Sequence, residues 1–141
     1  IIRFNPAIKS MNYIGNMKAK KDAETQGAYE PIFYNSDGII TECAIRNVFY
    51  IKDGVLLTPA LNLGVLPGVM RSAIINIATE IGIKVKETNI PFDIINEMDE
   101  AFISSTGIGL LPCYWDGWSS EFKLTQNIAE KLNQQISNLC E

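Results

Sequence analysis

The stretch "ECAIRNVFYIKDGVLLTPALNLGVLPGVMR", from Glu42 to Arg71, decides the fold of this chain. Its runs "NVFYIK" and "VLLTP" are rich in β-branched and aromatic residues, and the "DG" between them is typical of a hairpin turn. After "NLGVLPG" the apolar residues return at helical spacing, with Ile74 and Ile77 on one face and Gly82 as the stop. The stretch therefore predicts a hairpin followed by an amphipathic helix.

The flanking segments extend this alternation. Upstream, "MNYIGNMKAKKDAETQG" predicts a helix of about four turns that ends at Gly27, with "KAKK" on its solvated face. "YEPIFY" and "IITE" predict two strands, which would form an antiparallel meander with the hairpin. Downstream the chain predicts a strand at "IKVKETN", a short helix at "PFDIINEM", strands at "EAFISST" and "LLPCYW", and a last helix near "LTQNIAEKLNQQISNLC". This order favours an α+β fold with a barrel-like sheet.

The composition is that of a globular protein with a substantial core. The chain has 141 residues, of which 47% are hydrophobic and 20% are charged, so we expect one domain. A net charge of −4 argues against a nucleic-acid partner. No apolar run of membrane-spanning length and no signal-peptide pattern are present, so we expect no membrane partner and a cytoplasmic location. Because the chain begins at Ile1, we also expect that an upstream segment is missing.

Two counts exclude whole classes of chemistry. The chain has no histidine, which excludes Ser-His-Asp and Cys-His hydrolases, histidine-ligated zinc and imidazole acid–base catalysis. Its cysteines, Cys43, Cys113 and Cys140, are odd in number and lack metal-type spacing. We therefore expect reduced thiols and no metal site.

Two ionisable residues are candidates for chemistry. Lys9 follows the apolar pair Ala7 and Ile8 in "NPAIKSMNY", so as a functional residue it would have a poorly solvated amine. Glu42 closes a predicted strand. Each has an ordinary alternative, because most lysines and edge-strand carboxylates are solvated surface groups. Neither residue alone predicts a site.

Two loops are candidates for anion binding. In "LPGVMR", Pro67 suits a first helical turn and Gly68 allows a close backbone approach, so Val69 and Met70 would present N–H groups at a positive helix end. The strand end "FISSTG" adds Ser105 and Thr106 as hydroxyl and amide donors. An ordinary helix start and an ordinary turn remain the alternatives. Together with a lysine and a carboxylate, however, these are the parts that a pyridoxal phosphate site needs.

The same residues carry a family resemblance. The run from Glu42 to Arg71 resembles the class IV aminotransferase signature, through Asn47, Phe49, "LLT" and "LPGVMR". "IKSMNY" and "DEAFISSTGIGLLPC" resemble the lysine and phosphate-loop segments of the same fold type IV enzymes. The resemblance implies that residues 1–141 form one domain, the larger C-terminal, cofactor-binding domain of a D-amino acid aminotransferase-like fold. The N-terminal domain of such enzymes would be absent.

The resemblance also implies a role for each residue. Lys9 would form the Schiff base with pyridoxal 5'-phosphate and move protons, and Glu42 would keep the pyridine nitrogen protonated. Tyr13 would lie near the phenolate oxygen of the cofactor. The phosphate would be bound by the remaining candidates, which are Val69, Met70, Ser105 and Thr106. Asn47 would organise the start of a strand, and Arg71 would lie on the first helical turn without touching the ligand.

The motifs indicate the reaction less specifically than they indicate the family. "TEC" at residues 41–43, Met70 in place of a common threonine, and "GIGLLPC" in place of a loop with glutamate favour a lyase. That enzyme would convert 4-amino-4-deoxychorismate to 4-aminobenzoate and pyruvate for folate synthesis. The resemblance also implies a homodimer that acts on a small amino substrate. Branched-chain or D-amino acid aminotransferase is the alternative, with Tyr114 and Trp115 as candidate pocket walls. A catalytically silent fragment or interaction module is the alternative of another class.

Overall fold

The computed structural model describes residues 9–11 and 14–139. Its helices are α1 (Ile14–Thr25), α2 (Val69–Glu80) and α3 (Lys123–Leu139), with short 3₁₀ helices at Leu61–Leu63 and Phe92–Glu97. Its strands are β1 (Ile32–Tyr34), β2 (Ile40–Cys43), β3 (Asn47–Lys52), β4 (Val55–Pro59), β5 (Lys84–Thr88), β6 (Glu100–Ser105) and β7 (Gly109–Pro112). The predicted α+β class is confirmed.

The strands form two sheets. A five-stranded sheet has the order β5-β4-β3-β6-β7, and a separate two-stranded sheet pairs β1 with β2. All neighbours are antiparallel except β4 and β5, which run parallel because helix α2 crosses over between them. The predicted single meander was therefore wrong. Strand β3 takes β6, from far along the chain, as its second partner in place of β2.

The core lies on both faces of the five-stranded sheet. Along β3, Phe49 and Ile51 face helices α2 and α3, whereas Val48 and Tyr50 belong to a second cluster with Ile40 of β2. Alternate residues of a strand point to opposite faces, so a strand buried on both sides reads as one continuous apolar run. This explains why the four residues between Asn47 and Lys52, "VFYI", are all aliphatic or aromatic.

Helix α3 is anchored to the sheet by a buried carboxylate. Glu100 begins β6 and is only 7% exposed, and its two oxygens accept the backbone N–H groups of Leu124 (2.9 Å) and Thr125 (2.7 Å). These are first-turn N–H groups that have no intrahelical partner. Glu100, a strand residue, thus caps a helix that begins only at Lys123, after the whole of β7.

Helix α1 differs from the prediction. It begins at Ile14 rather than Met11, and its apolar side chains Ile14 and Met17 are 80% and 45% exposed, while the buried residue is Asn16. The "KAKK" cluster is not uniformly solvated either, because the side chain of Lys20 is only 13% exposed. No helix within the described residues has the length and apolarity to cross a membrane.

Candidate functional site

A cavity of about 380 Å³ lies where strands β2 and β6 end and where strand β3 and helix α2 begin. This volume lies within the range of about 300–1,000 Å³ that is typical of small-molecule sites. The lining residues come from segments distant in sequence: Lys9, Ser10, Glu42, Ala44, Ile45, Arg46, Asn47, Leu66, Pro67, Gly68, Val69, Met70, Ser104, Ser105 and Thr106. The structure thus brings together every residue predicted to bind the cofactor except Tyr13, which lies outside the described residues.

Glu42 is a buried carboxylate in the cavity wall. It lies near the end of β2, is 7% exposed, and its Oε2 accepts the Leu66 N–H at 3.3 Å. The alternative of a solvated edge-strand group is therefore wrong. A buried carboxylate needs a cation or hydrogen-bond donors around it, because burial without partners disfavours the charge.

Asn47 holds the loop that leads into helix α2. It begins β3, as predicted, and its Nδ2 donates to the Leu66 carbonyl at 3.0 Å. A Cβ atom on Gly68 would collide with Asn47 Oδ1. The glycine therefore serves close packing within the chain, not only the close approach of a ligand that we predicted.

The start of helix α2 presents unpaired donors to the cavity. Gly68 is the N-cap in an extended conformation, and within the described chain no side-chain hydrogen bond caps this helix. Val69 and Met70 form its first turn, so their N–H groups have no intrahelical acceptor. Such an end attracts anions. Pro67 lies before the N-cap, so the prediction that it occupies the first helical turn was wrong.

The end of β6 faces the same cavity. Ser105 is the last residue of the strand and Thr106 is the exposed residue that follows, and both line the cavity. Ser104, which pairs with Asn47 in the sheet, also lines it, and its buried Oγ has no hydrogen-bond partner among the described residues. Hydroxyl donors and a helix N-terminus therefore meet at one end of the cavity.

Lys9 lines the cavity and is exposed to solvent. The sequence had suggested a poorly solvated amine beside apolar residues, and the exposed position does not match that expectation. Its neighbours Met11 and Ile14 are 92% and 80% exposed. Residues 1–8 and 12–13 lie outside the described part of the chain.

Sequence reasoning missed the turn at residues 44–46, which joins β2 to β3 and lines the cavity throughout. Its signal was the short gap between two strong strand patterns. In contrast, Tyr114 and Trp115 are not among the cavity-lining residues. Tyr114 is 79% exposed, whereas Trp115 stacks on Trp118 at 3.9 Å and packs against the second core cluster.

Arg71 is buried and structural in its contacts. Its Nη2 donates to the Pro59 carbonyl (3.0 Å) and to Glu87 Oε2 (2.6 Å), which ties α2 to the parallel pair of strands. It does not line the cavity, as expected.

The donor set fits pyridoxal phosphate. The cavity is lined by a lysine, by a buried carboxylate, and by a helix start without a side-chain cap that has hydroxyl-bearing residues in the same lining. The fold and cavity therefore define an α+β domain with the features of a pyridoxal phosphate site.

Comparison with known proteins defines the family. The profile described as Amino-transferase class IV matches residues 2–114. D-alanine aminotransferase of Listeria monocytogenes is 45% identical over 105 residues, which cover 74% of this chain and 36% of that protein. The chain belongs to the class IV aminotransferase family, whose enzymes depend on pyridoxal phosphate.

Two solved structures share the fold. A branched-chain amino acid aminotransferase from Thermobaculum terrenum, in its PLP-bound form, matches with a TM-score of 0.89 and 25% identity, over 94% of this chain and 46% of that one. A candidate 4-amino-4-deoxychorismate lyase from Legionella pneumophila matches with a TM-score of 0.86 and 26% identity, over 91% and 49%. The chain thus spans between about a third and a half of the length of these relatives.

Proposed function

We propose that this chain is the cofactor-binding domain of a pyridoxal phosphate-dependent enzyme that acts on the amino group of a small substrate. The observation that carries the proposal is the cavity, in which Lys9, the buried Glu42 and the uncapped start of α2 meet. When bound, the cofactor supplies an aldehyde that captures amines and a ring that accepts electrons.

Each residue has a task that follows from its chemistry. The Lys9 amine is the nucleophile for the aldehyde and moves the proton at the substrate carbon that bears nitrogen. The Glu42 carboxylate holds a proton at the pyridine nitrogen. It is already oriented by the Leu66 N–H. The position of Tyr13 near the phenolate oxygen of the cofactor remains a prediction from the resemblance.

The phosphate is assigned to the start of α2 and the end of β6. The N–H groups of Val69 and Met70 donate to it from the positive end of α2. Ser105 and Thr106 add hydroxyl donors from the end of β6.

Among the reactions of the family, we infer that amino-group transfer is the first candidate. Of the relatives reported above, the one with the highest identity is a D-alanine aminotransferase, and a branched-chain enzyme shares the fold. The lyase reaction on 4-amino-4-deoxychorismate, favoured by "TEC" and Met70, remains the second candidate. The candidate lyase of Legionella pneumophila supports it through the shared fold.

We further propose that residues 1–141 work together with a second domain in a homodimer. Three exposed apolar side chains support a covering partner surface: Val69, which lines the cavity, and Met11 and Ile14, which follow the cavity-lining Lys9 in the chain. The substrate is a small amino compound. The location in the cytoplasm remains a prediction from the sequence.

The experiment that tests the proposal is a spectroscopic titration of the chain with pyridoxal phosphate, followed by product assays. We expect saturable binding by the parent chain and none by Lys9→Ala. The protein with bound pyridoxal phosphate is then mixed with D-alanine, L-leucine or 4-amino-4-deoxychorismate. A 2-oxo acid from an amino acid supports transfer, 4-aminobenzoate with pyruvate supports the lyase, and equal binding by Lys9→Ala contradicts the proposal.

A further inference from the structure

The turn at residues 44–46 forms one wall of the cavity. It lies between Glu42 of β2 and Asn47 of β3, and Ala44, Ile45 and Arg46 all line the cavity. Any movement of this turn would move Glu42 relative to the start of α2. What holds the turn therefore affects the geometry of the whole site.

Glu30 is the centre of the contacts that hold it. Its Oε1 accepts the Ile45 N–H at 2.9 Å, and its Oε2 accepts Arg46 Nη1 at 2.5 Å. The side chains of Glu30 and Arg46 are only 4% and 9% exposed. A charge-assisted pair that is largely withdrawn from water is rigid and strongly directional.

Tyr29 and Lys20 complete the contacts on the same side. Arg46 Nη2 donates to the Tyr29 hydroxyl at 3.1 Å, and the guanidinium lies 5.0 Å from the centre of the Tyr29 ring. Lys20 Nζ lies 5.0 Å from the same ring, donates to the Tyr29 carbonyl at 2.9 Å and is 3.7 Å from Glu30 Oε2. The Tyr29 ring thus lies beside both of the cations that contact the Glu30 carboxylate.

Helix α1 holds the turn from a third direction. The buried Asn16 donates from its Nδ2 to the Ala44 carbonyl at 2.8 Å. Each residue of the turn is therefore anchored: Ala44 through its carbonyl, Ile45 through its N–H and Arg46 through its side chain. This also explains why a polar residue is the buried member of α1.

We propose that Glu30 is a positioning residue, which fixes the turn at 44–46 and thereby sets the place of Glu42 in the site. This inference rests on the proposed function, because it assigns the turn to a cofactor site. Glu30 is not among the cavity-lining residues, so it acts through Ile45 and Arg46.

The test compares Glu30→Gln with the matched control Glu24→Gln. Glu24 pairs with Lys20 at 2.7 Å in the same group of charges, but its side chain is 53% exposed and this pair does not involve residues 44–46. Three quantities are measured for each variant: the dissociation constant of pyridoxal phosphate, the absorption maximum of the bound cofactor, and the thermal unfolding temperature of the protein. We expect Glu30→Gln to raise the dissociation constant at least about tenfold and to shift the absorption maximum. Glu24→Gln stays within about twofold.

A milder variant covers the case in which Glu30→Gln fails to fold. Tyr29→Phe removes only the hydroxyl that Arg46 contacts and leaves the ring in place. We expect a smaller rise in the dissociation constant, with the same direction of spectral shift. Parent-like binding and spectrum in both Glu30→Gln and Tyr29→Phe would overturn the inference.

Hydrogen exchange separates this inference from the proposed function. The Ile45 N–H should exchange faster in Glu30→Gln than in the parent chain, and at the parent rate in Glu24→Gln. If the parent chain binds no pyridoxal phosphate, the proposed function fails, while exchange at Ile45 still tests the anchoring by Glu30. Unchanged exchange in Glu30→Gln would overturn the anchoring itself.

Discussion

The Asn47 side chain occupies the space that a Cβ atom on Gly68 would need. The two residues lie on different elements, the start of β3 and the N-cap of α2. Asn47 also binds the Leu66 carbonyl at 3.0 Å, so one amide side chain sets the distance between the sheet and the helix start. The positive end of α2 is thereby held at the cavity.

Gly68→Ala should destabilise the fold and weaken cofactor binding. The new methyl group collides with Asn47 Oδ1, so either the amide rotates away or the helix start moves. We expect a loss of about 1–3 kcal/mol in the free energy of unfolding. The control is Gly107→Ala, where an added Cβ meets nothing within 4 Å. Urea denaturation of both variants checks this, and equal losses would contradict the packing argument.

Asn47→Asp should be nearly as harmful although it preserves shape. A carboxylate cannot donate, so its oxygen would face the Leu66 carbonyl across 3.0 Å in place of a hydrogen bond. We expect a loss of about 1–3 kcal/mol in unfolding free energy. Chemical denaturation at neutral pH measures it, and partial recovery at acid pH should follow, since a protonated Asp can donate. A variant as stable as the parent would show that this contact is dispensable.

Glu100→Gln should loosen helix α3. The carboxylate accepts two first-turn N–H groups, of Leu124 and Thr125, and loses charge and one acceptor oxygen on substitution. We expect a loss of about 1–2 kcal/mol in unfolding free energy. The control Glu121→Gln removes an exposed pair with Lys123, whose side chains are 78% and 80% exposed, and should change little. Comparable melting temperatures for the two variants would contradict the cap.

Stability should fall at alkaline pH through the cysteines. Burial raises the pKa of the Cys113 thiol to about 12 and raises that of the fully buried Cys43 as well. A thiol in the unfolded chain titrates at about pH 8.5, so it loses its proton at a lower pH than the same thiol in the folded chain. The stabilisation is therefore complete below that pH and is lost as pH rises toward the folded-state value.

Unfolding free energies of the parent chain and Cys113→Ala at pH 8 and pH 10 measure this effect. The parent should lose more stability between the two pH values than the variant does. Thiol labelling at pH 8 should likewise leave Cys43 unmodified in the folded chain. Parallel pH dependence in parent and variant would contradict a raised thiol pKa.

The local patterns predicted most elements of the fold, and the reasons are visible in β3 and α2. "NVFYIK" and the helical spacing of Ile74 and Ile77 depend only on which faces are buried, which a sequence displays directly. Partner choice does not appear in such patterns. The pairing of β3 with β6 connects residues far apart in sequence, so the meander was the simpler expectation.

The site could be assembled from sequence only where a motif marked it. Glu42, Val69 and Met70 lie in one contiguous signature, so their proximity was predictable. Glu30 was not, because its partners Ile45 and Arg46 are reached only after β1 and β2 turn back on themselves. The same holds for Glu100, a strand residue whose buried charge makes sense only once α3 is in place.

The most direct test of the central claim is borohydride reduction of the chain mixed with pyridoxal phosphate, followed by peptide mapping. The account predicts a pyridoxyl adduct confined to Lys9, because only this lysine lines the cavity among the described residues. The control is Lys9→Ala, which should carry no adduct at the site. An adduct spread over Lys18, Lys21 and other surface lysines, or none at all, would contradict the claim that this chain holds the cofactor.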